Sequence, residues 1–359
     1  MTITGNKGEW SEIYAFLRLL ADGKLFAADE NLNKINNMFF PIIKIIREES
    51  TGMPYEYRPN SANAEIEIYL DNERILCLPA KIFETEANYL LEEIIAHGQG
   101  SGSFGVEKSY PFIRSIYVNK LKAPTSDKSD INIQIHDINT GFEKVAGFSI
   151  KSELGMPPTL LNAGRTTNFI YKIDGLDLHY IDSINAIDTS KKIKDRIKKI
   201  ICYGGRLIFC NMENDVFKNN LIMIDSQMPH IVAEMLVGYY SEITSKCAEL
   251  TEYVNGMNPL NHTADFYRHK IKELLCAAAL GMKPATMWDG TDEASGGYII
   301  VRTNGDVLAY HIYNRDAFKR YLLNNTKFES GSSSRHGYGI LYEQNGEIFI
   351  KLNLQIRFI

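Results

Sequence analysis

Apolar residues recur at helical spacing near the start of the chain. Ile13, Phe16, Leu17 and Leu20 precede Asp22-Gly23, which predicts an opening helix stopped by the glycine. Similar spacing predicts a helix over 32–49, broken or kinked at Pro41, and further helices over 83–96 and 109–120. Alternation over 64–70 and 74–78 about Asp71-Asn72 predicts a β-hairpin. Ile131, Ile133 and Ile135 alternate with Asn132, Gln134 and His136, the pattern of a half-buried strand. Asn139-Thr140-Gly141 offers a turn, and 145–152 supplies the returning strand. Strands are also expected at 167–173, 206–210 and 221–224, with a basic helix near 191–199 and an apolar one over 229–240. This alternation indicates an α/β core with a mixed sheet flanked by helices. After Tyr240 two helices, at 241–253 and 264–280, precede strands at 298–303, 308–313, 337–342 and 348–356. The chain is therefore expected to divide softly into a 1–240 core and a 241–359 α+β part.

Composition narrows the class. Hydrophobic residues at 45% and charged residues at 23% are ordinary for a globular enzyme of 359 residues. No apolar run approaches the roughly 20 residues needed to cross a bilayer. The stretch Met1–Glu9 lacks the order of a secretory signal. The five cysteines are scattered and form no CxxC pair, which argues against a disulfide framework or a zinc site and fits a reducing cytoplasm. The net charge of −5 does not advertise a nucleic-acid partner, although phosphate binding depends on local charge. Residues 191–199 carry six positive charges against one negative, and 298–359 carry eight against five. A solvated helix face with Ile193, Ile197 and Ile200 or Ile201 turned inward is the plainer account of the first stretch.

The hairpin after Ser129 holds the candidate chemistry. Residues paired across an antiparallel ladder have numbers of constant sum, so a turn near 139–140 sets Asp130 opposite Lys151 or close to it. Period two puts Ser149, Lys151 and Glu153 on one face. A carboxylate and an ammonium side by side suit phosphodiester hydrolysis: the acid holds a hard cation, and the amine orients water. A surface ion pair across a hairpin is the plain alternative. Asp127 and Asp137 are rival acids, Asp137 pointing to the other face. His136 shares the Asp130 face and is either solvent-exposed or a contact to DNA. Glu9 falls on the apolar stripe of the first helix, where a bound cation would satisfy a carboxylate. Asn6 followed by Glu9 equally reads as a capping box. Glu12 lies further from the stripe.

Three stretches resemble a known group: Ser126-Asp127-Lys128-Ser129-Asp130-Ile131, Gly147-Phe148-Ser149-Ile150-Lys151-Ser152 and Thr159–Phe169. They look like the catalytic segment of HpaII-type restriction endonucleases, members of the PD-(D/E)xK nucleases. Asn6–Glu12 and the tail from Asn325 to Phe358 resemble the two ends of the same group. The resemblance implies a PD-(D/E)xK fold and a type II restriction endonuclease. Such an enzyme hydrolyses duplex DNA with Mg²⁺, leaves 5′-phosphates, and in this group reads CCGG. It implies a homodimer on a palindromic site and a companion DNA methyltransferase. Asp130, Lys151, Ser149 and Glu9 become the candidate catalytic residues. Because Ser149 replaces the usual Glu of Glu-x-Lys, Asp130 would bind metal with Glu9 or Glu153. The glycine- and serine-rich loop 330–339 is a flexible linker by composition. By resemblance its Arg335, with Ser334 and His336, contacts DNA; Arg165, Thr166 and Thr167 come second. A catalytically silent DNA-binding protein, or a nuclease for repair or structured substrates, are the alternatives.

Overall fold

The computed structural model describes residues 3–50, 52–98, 102–122, 129–138, 141, 143–311 and 315–359. The turn expected at Asn139-Thr140 and the rival acid Asp127 lie outside them. The opening helix α1 (Lys7–Asp22) starts at Asn6, whose side chain accepts from Glu9 N while the Glu9 carboxylate accepts from Asn6 N. It ends at Gly23, held at φ 61°, a left-handed conformation that glycine adopts without Cβ strain. Trp10, Ser11, Ile13 to Leu17, Leu19 and Leu20 are all buried, so the helix is enclosed on most of its circumference.

Contacts divide the chain into two units, 1–158 with 292–318, and 159–291 with 319–359. Tyr240, near which the sequence puts a soft boundary, lies within the second. The first unit is built on a nine-stranded mixed sheet. Its strands are β1 (Lys24–Ala28), β2 (Lys34–Ser50), β3 (Met53–Asn60), β4 (Glu65–Leu70), β5 (Glu73–Pro79), β6 (Ile131–His136) and β7 (Glu143–Ser152), with two late arrivals, Gly297–Val301 and Val307–His311. β2, β6 and β7 run antiparallel in turn, and Gly297–Val301 lies parallel to β7. Val307–His311 then pairs parallel to β1, and β1 pairs back onto β2, so six strands close on themselves. α1 and α2 (Ala80–Ala96) pack on each other, and Phe83, Ala87, Leu90 and Ile94 of α2 join the core. The mixed α/β expectation is met; the closed ring was not foreseen.

In the second unit Asn168–Asp174, Arg206–Met212, Glu347–Asn353 and Leu341–Gln344 form an antiparallel sheet. Thr159–Leu161, Ile356–Phe358 and Thr326–Phe328 form a second, smaller one. Helices Lys192–Cys202, Asp215–Ile224, Met228–Tyr240, Cys247–Met257 and Ala264–Leu280 accompany them. Among the described residues no helix is long and apolar enough to cross a membrane.

Two elements change type, and the helix expected over 109–120 ends at Ser115. The segment expected as a kinked helix at 32–49 is strand β2. Its isoleucines are β-branched, and Phe40, Ile42, Ile45, Arg47 and Glu49 are buried in an alternation that a bulge shifts between Ile42 and Lys44. Pairing on both edges outweighs the helical spacing. The strand expected at 221–224 is instead the end of helix Asp215–Ile224. Asn214 caps it by accepting from Phe217 N at 3.1 Å, and Phe217, Asn220 and Leu221 recur at helical spacing on its buried side.

Gly147 on β7 has no room for a side chain, since an added Cβ would sit 2.7 Å from Ser129 Cβ and 3.2 Å from Asn132 Oδ1. Gly147→Ala is therefore expected to lower unfolding stability by about 1–3 kcal/mol, measured by urea titration. An unchanged midpoint and slope would show that the hairpin yields without cost.

Candidate active site

The β6–β7 register fixes the geometry. Ile131 pairs with Phe148 and His136 with Glu143, so Asp130 comes opposite Ser149, with Lys151 two residues further along its strand. The Asp130 carboxylate is tied to β7: Oδ2 accepts from Ile150 N at 2.8 Å and from Ser149 Oγ at 3.2 Å. Asp130 N donates in turn to the Phe148 carbonyl at 2.8 Å. Lys151 forms no ion pair among the described residues, and its Nζ stands 5.7 Å from the Tyr298 ring centroid on the adjacent parallel strand.

α1 supplies a second acid. Ser11 Oγ hydrogen-bonds with Ser152 Oγ at 2.8 Å and with the Lys7 carbonyl at 2.7 Å, which pins the helix to the end of β7. One residue on, Glu12 stands among the charges of the hairpin. Burial pushes its carboxyl up to about 8, and the Asp130 charge adds to the rise, while Lys122, Lys151 and Arg47 pull it down. Two carboxylates and an ammonium thus share one neighbourhood. A cleft of about 820 Å³ opens there, with Glu9, Glu12, Lys122, Lys151 and Glu153 in its lining.

Arg47 of β2 is 7% exposed and pairs with Glu49, itself 6% exposed. Glu49 Oε2 also accepts from Asn119 N at 2.9 Å and Lys120 N at 3.2 Å, and Arg47 donates to the Leu121 carbonyl at 3.2 Å. This buried network anchors the segment that carries Lys122 beside the cleft.

The candidate acids sort themselves by partner. Glu9 Oε2 accepts from Asn6 N at 2.8 Å, so the preferred second acid is the closing half of the helix cap. Glu12, which the helical wheel set lower, is the one coupled to Asp130 and Lys151. A wheel separates the two poorly because nearly every face of α1 is buried. Glu153 Oε2 lies 3.6 Å from Arg302 Nε and accepts from Thr303 N at 3.4 Å, so its charge is already answered. His136 pairs with Glu143 at 3.1 Å on the exposed hairpin, and Asp137 is buried.

Among the described residues no group of three or more His, Cys, Asp or Glu is gathered for a metal. Asp130 and Glu12 nevertheless bring two carboxyl groups into one neighbourhood. That donor set fits an ion that takes one or two carboxylates and completes its shell with water and substrate phosphate. Neither the closeness of Glu12 to Asp130 nor the place of Lys122 beside the cleft was legible in sequence, because α1 also carries Lys7, Glu9, Arg18 and Asp22 and no local pattern singles out Glu12.

The candidate DNA contacts lie in the second unit. Arg165 and Arg335 are exposed, and neither forms an ion pair among the described residues. The short helical turn Ser333–His336 is capped by Ser332 and ended by Gly337, with Ser334 Oγ 3.3 Å from Ser332 Oγ. Thr166 is half-buried. Thr167 corrects the expectation: fully buried, its Oγ accepts from Gly164 N at 3.2 Å and from Asn353 Nδ2 at 3.0 Å, so it braces a turn and has no surface to offer. The basic helix Lys192–Cys202 uses much of its charge internally. Lys192 pairs with Asp188, and Arg196, 4% exposed, donates to the carbonyls of Gly339, Asn185 and Ile187.

A profile of the HpaII restriction endonuclease family matches residues 6–358. The chain belongs to that family. It is 42% identical over 361 residues to the type II restriction enzyme HpaII of Haemophilus parainfluenzae, covering 99% of each chain. No solved structure matches it at a significant level. Family membership identifies a type II restriction endonuclease, a site-specific deoxyribonuclease, and enzymes of this class generally use divalent metal ions.

The two glutamates of α1 separate experimentally. Asn6→Ala removes one half of the cap and is expected to cost about 1 kcal/mol of stability, read by thermal melting, with DNA cleavage retained. Loss of cleavage in a folded Asn6→Ala protein would return Glu9 and its cap to the reacting centre.

Proposed function

We propose that this restriction endonuclease hydrolyses both strands of duplex DNA with Mg²⁺ and leaves 5′-phosphates, on a PD-(D/E)xK core of the Ser-x-Lys kind in the first unit. The observation that carries the reading is the meeting of Asp130, Glu12 and Lys151 at the end of the β6–β7 hairpin. In this proposal Glu12 supplies from α1 the carboxylate that Ser149 no longer supplies from β7. The mixed arrangement of β2, β6, β7 and Gly297–Val301 supports such a core.

Asp130 and Glu12 would hold the ion. When bound, a divalent cation offsets charge on the pentacoordinate phosphate and acidifies a water. The chain's own residues do the rest. Ser149 and Ile150 N fix the Asp130 carboxylate through Oδ2, so that its second oxygen keeps one direction. Lys151, without an ion pair among the described residues, orients the attacking water and stabilises negative charge growing on phosphate oxygens. Lys122 adds a positive charge on the cleft wall that favours the approach of a phosphodiester.

Recognition in this proposal belongs to the second unit, through Arg335 with His336 and Ser334, and through Arg165 with Thr166. CCGG is the sequence expected from the family resemblance, and arginines suit its guanines, whose O6 and N7 accept a guanidinium fork. A two-fold site of this kind calls for a homodimer. A methyltransferase that marks the same sequence is the expected companion, since the host genome carries the target.

Plasmid DNA of known sequence, incubated with and without Mg²⁺, is the direct test. Discrete fragments that require the ion support the proposal; a smear or intact DNA in its presence rejects site-specific cleavage by this mechanism. Asp130→Asn, Glu12→Gln and Lys151→Met are each expected to slow cleavage by about 10²–10⁴-fold while DNA still binds in a gel-shift assay. Wild-type turnover by any one of them removes that residue from the mechanism. Arg335→Ala is expected to weaken binding to the preferred site by about 1–3 kcal/mol, and an unaltered site preference would dismiss it as a base contact.

A further inference from the structure

Two segments far apart in sequence lie side by side in the second unit. A Cβ added at Gly331 would come within 2.7 Å of Ala163 Cβ, and one at Gly337 would lie 3.8 Å from Arg165 Nε. The turn that carries Arg165 therefore packs on the loop that carries Arg335. Beneath them runs a chain of buried amide bonds. Asn168, 0% exposed, donates through Nδ2 to the His336 carbonyl at 2.9 Å and to Glu213 Oε2 at 2.6 Å. Asn353, 1% exposed, donates to Asn168 Oδ1 and to the Gly164 carbonyl, each at 2.7 Å. Lys351 Nζ holds the other Glu213 oxygen at 2.8 Å, and its carbonyl accepts from Gly339 N at 2.8 Å.

This network joins backbone atoms that flank the two arginines. Gly164 precedes Arg165, and His336 follows Arg335. A buried amide whose partners shift leaves a donor or acceptor unmet, so the spacing between the segments resists change. Both arginines are exposed, and neither forms an ion pair among the described residues. Reading a base edge through a planar fork demands that geometry be held tightly by the atoms behind it. We propose that Asn168 is a positioning residue for sequence recognition: it sets the distance between Arg165 and Arg335 so that both address base edges of one duplex. Glu213 and Asn353 serve as its two anchors. This rests on the reading that the two arginines face DNA.

The test measures kcat and KM on a duplex bearing the preferred sequence and on duplexes altered at one base pair. Asn168→Ala is expected to reduce the kcat/KM ratio between preferred and altered duplexes about tenfold or more, mainly through a higher KM on the preferred one. In a background of Arg165→Ala with Arg335→Ala, adding Asn168→Ala should cause no further loss of discrimination. Glu213→Gln, which keeps the side chain's shape, should produce a smaller loss of the same kind and serves if Asn168→Ala does not fold. An equal loss of rate on every duplex, or the same loss in both backgrounds, overturns the inference. If the two arginine substitutions themselves leave discrimination intact, the recognition surface is misassigned. If they reduce it and neither Asn168→Ala nor Glu213→Gln does, only the positioning role falls.

Discussion

The hydrogen bond from Ile150 N to Asp130 Oδ2 ties the residue before β6 to the strand that carries Lys151, and the candidate site is arranged about it. A carboxylate fixed to the backbone of its neighbour keeps one oxygen committed and directs the other. With the hairpin held in this register, Ser149 faces Asp130, Lys151 emerges two residues beyond, and the strand end receives α1 through Ser11 and Ser152. A slip of one residue would turn Lys151 and Ser149 to the other face of the sheet. Ile131, Ile133 and Ile135 oppose such a slip, because it would carry them out of the core.

Glu12 shows what that arrangement costs and what it permits. A half-buried carboxyl beside a second acid is destabilised as an anion, and its proton affinity rises accordingly. Lys122, Lys151 and Arg47 moderate the effect. The Asp130 charge disfavours a second anion beside it, and a divalent cation would relieve that repulsion. The buried Arg47–Glu49 pair also holds the segment that carries Lys122 in place.

Positive charge follows different rules in the second unit. Most cations of helix Lys192–Cys202 meet an acid, a ring or a carbonyl, and Arg196 serves as a structural clasp for Gly339. Arg165 and Arg335 are exposed and form no ion pair among the described residues. Local availability of charge, and not its density along the sequence, marks the surface suited to a phosphate or a base edge.

Hydrophobic periodicity by itself determined α1, α2, the 65–79 hairpin and the pairing of β6 with β7, because each is set by near neighbours in the chain. The constant sum across the hairpin brought Asp130 close to Lys151 before any coordinates, and the motifs around them named the family. Other features were decided only by tertiary structure. The helical spacing at 32–49 gave way to strand β2 because β1, β6 and β3 all needed an edge to pair with. The strands near 300 and 310 close a ring with β7 and β1, a partnership between segments more than a hundred residues apart that local pattern does not encode. Which glutamate stands near Asp130 depends on which face of a largely enclosed helix meets the hairpin. An amphipathic wheel can rank faces only when one of them is wet, and in α1 almost none is.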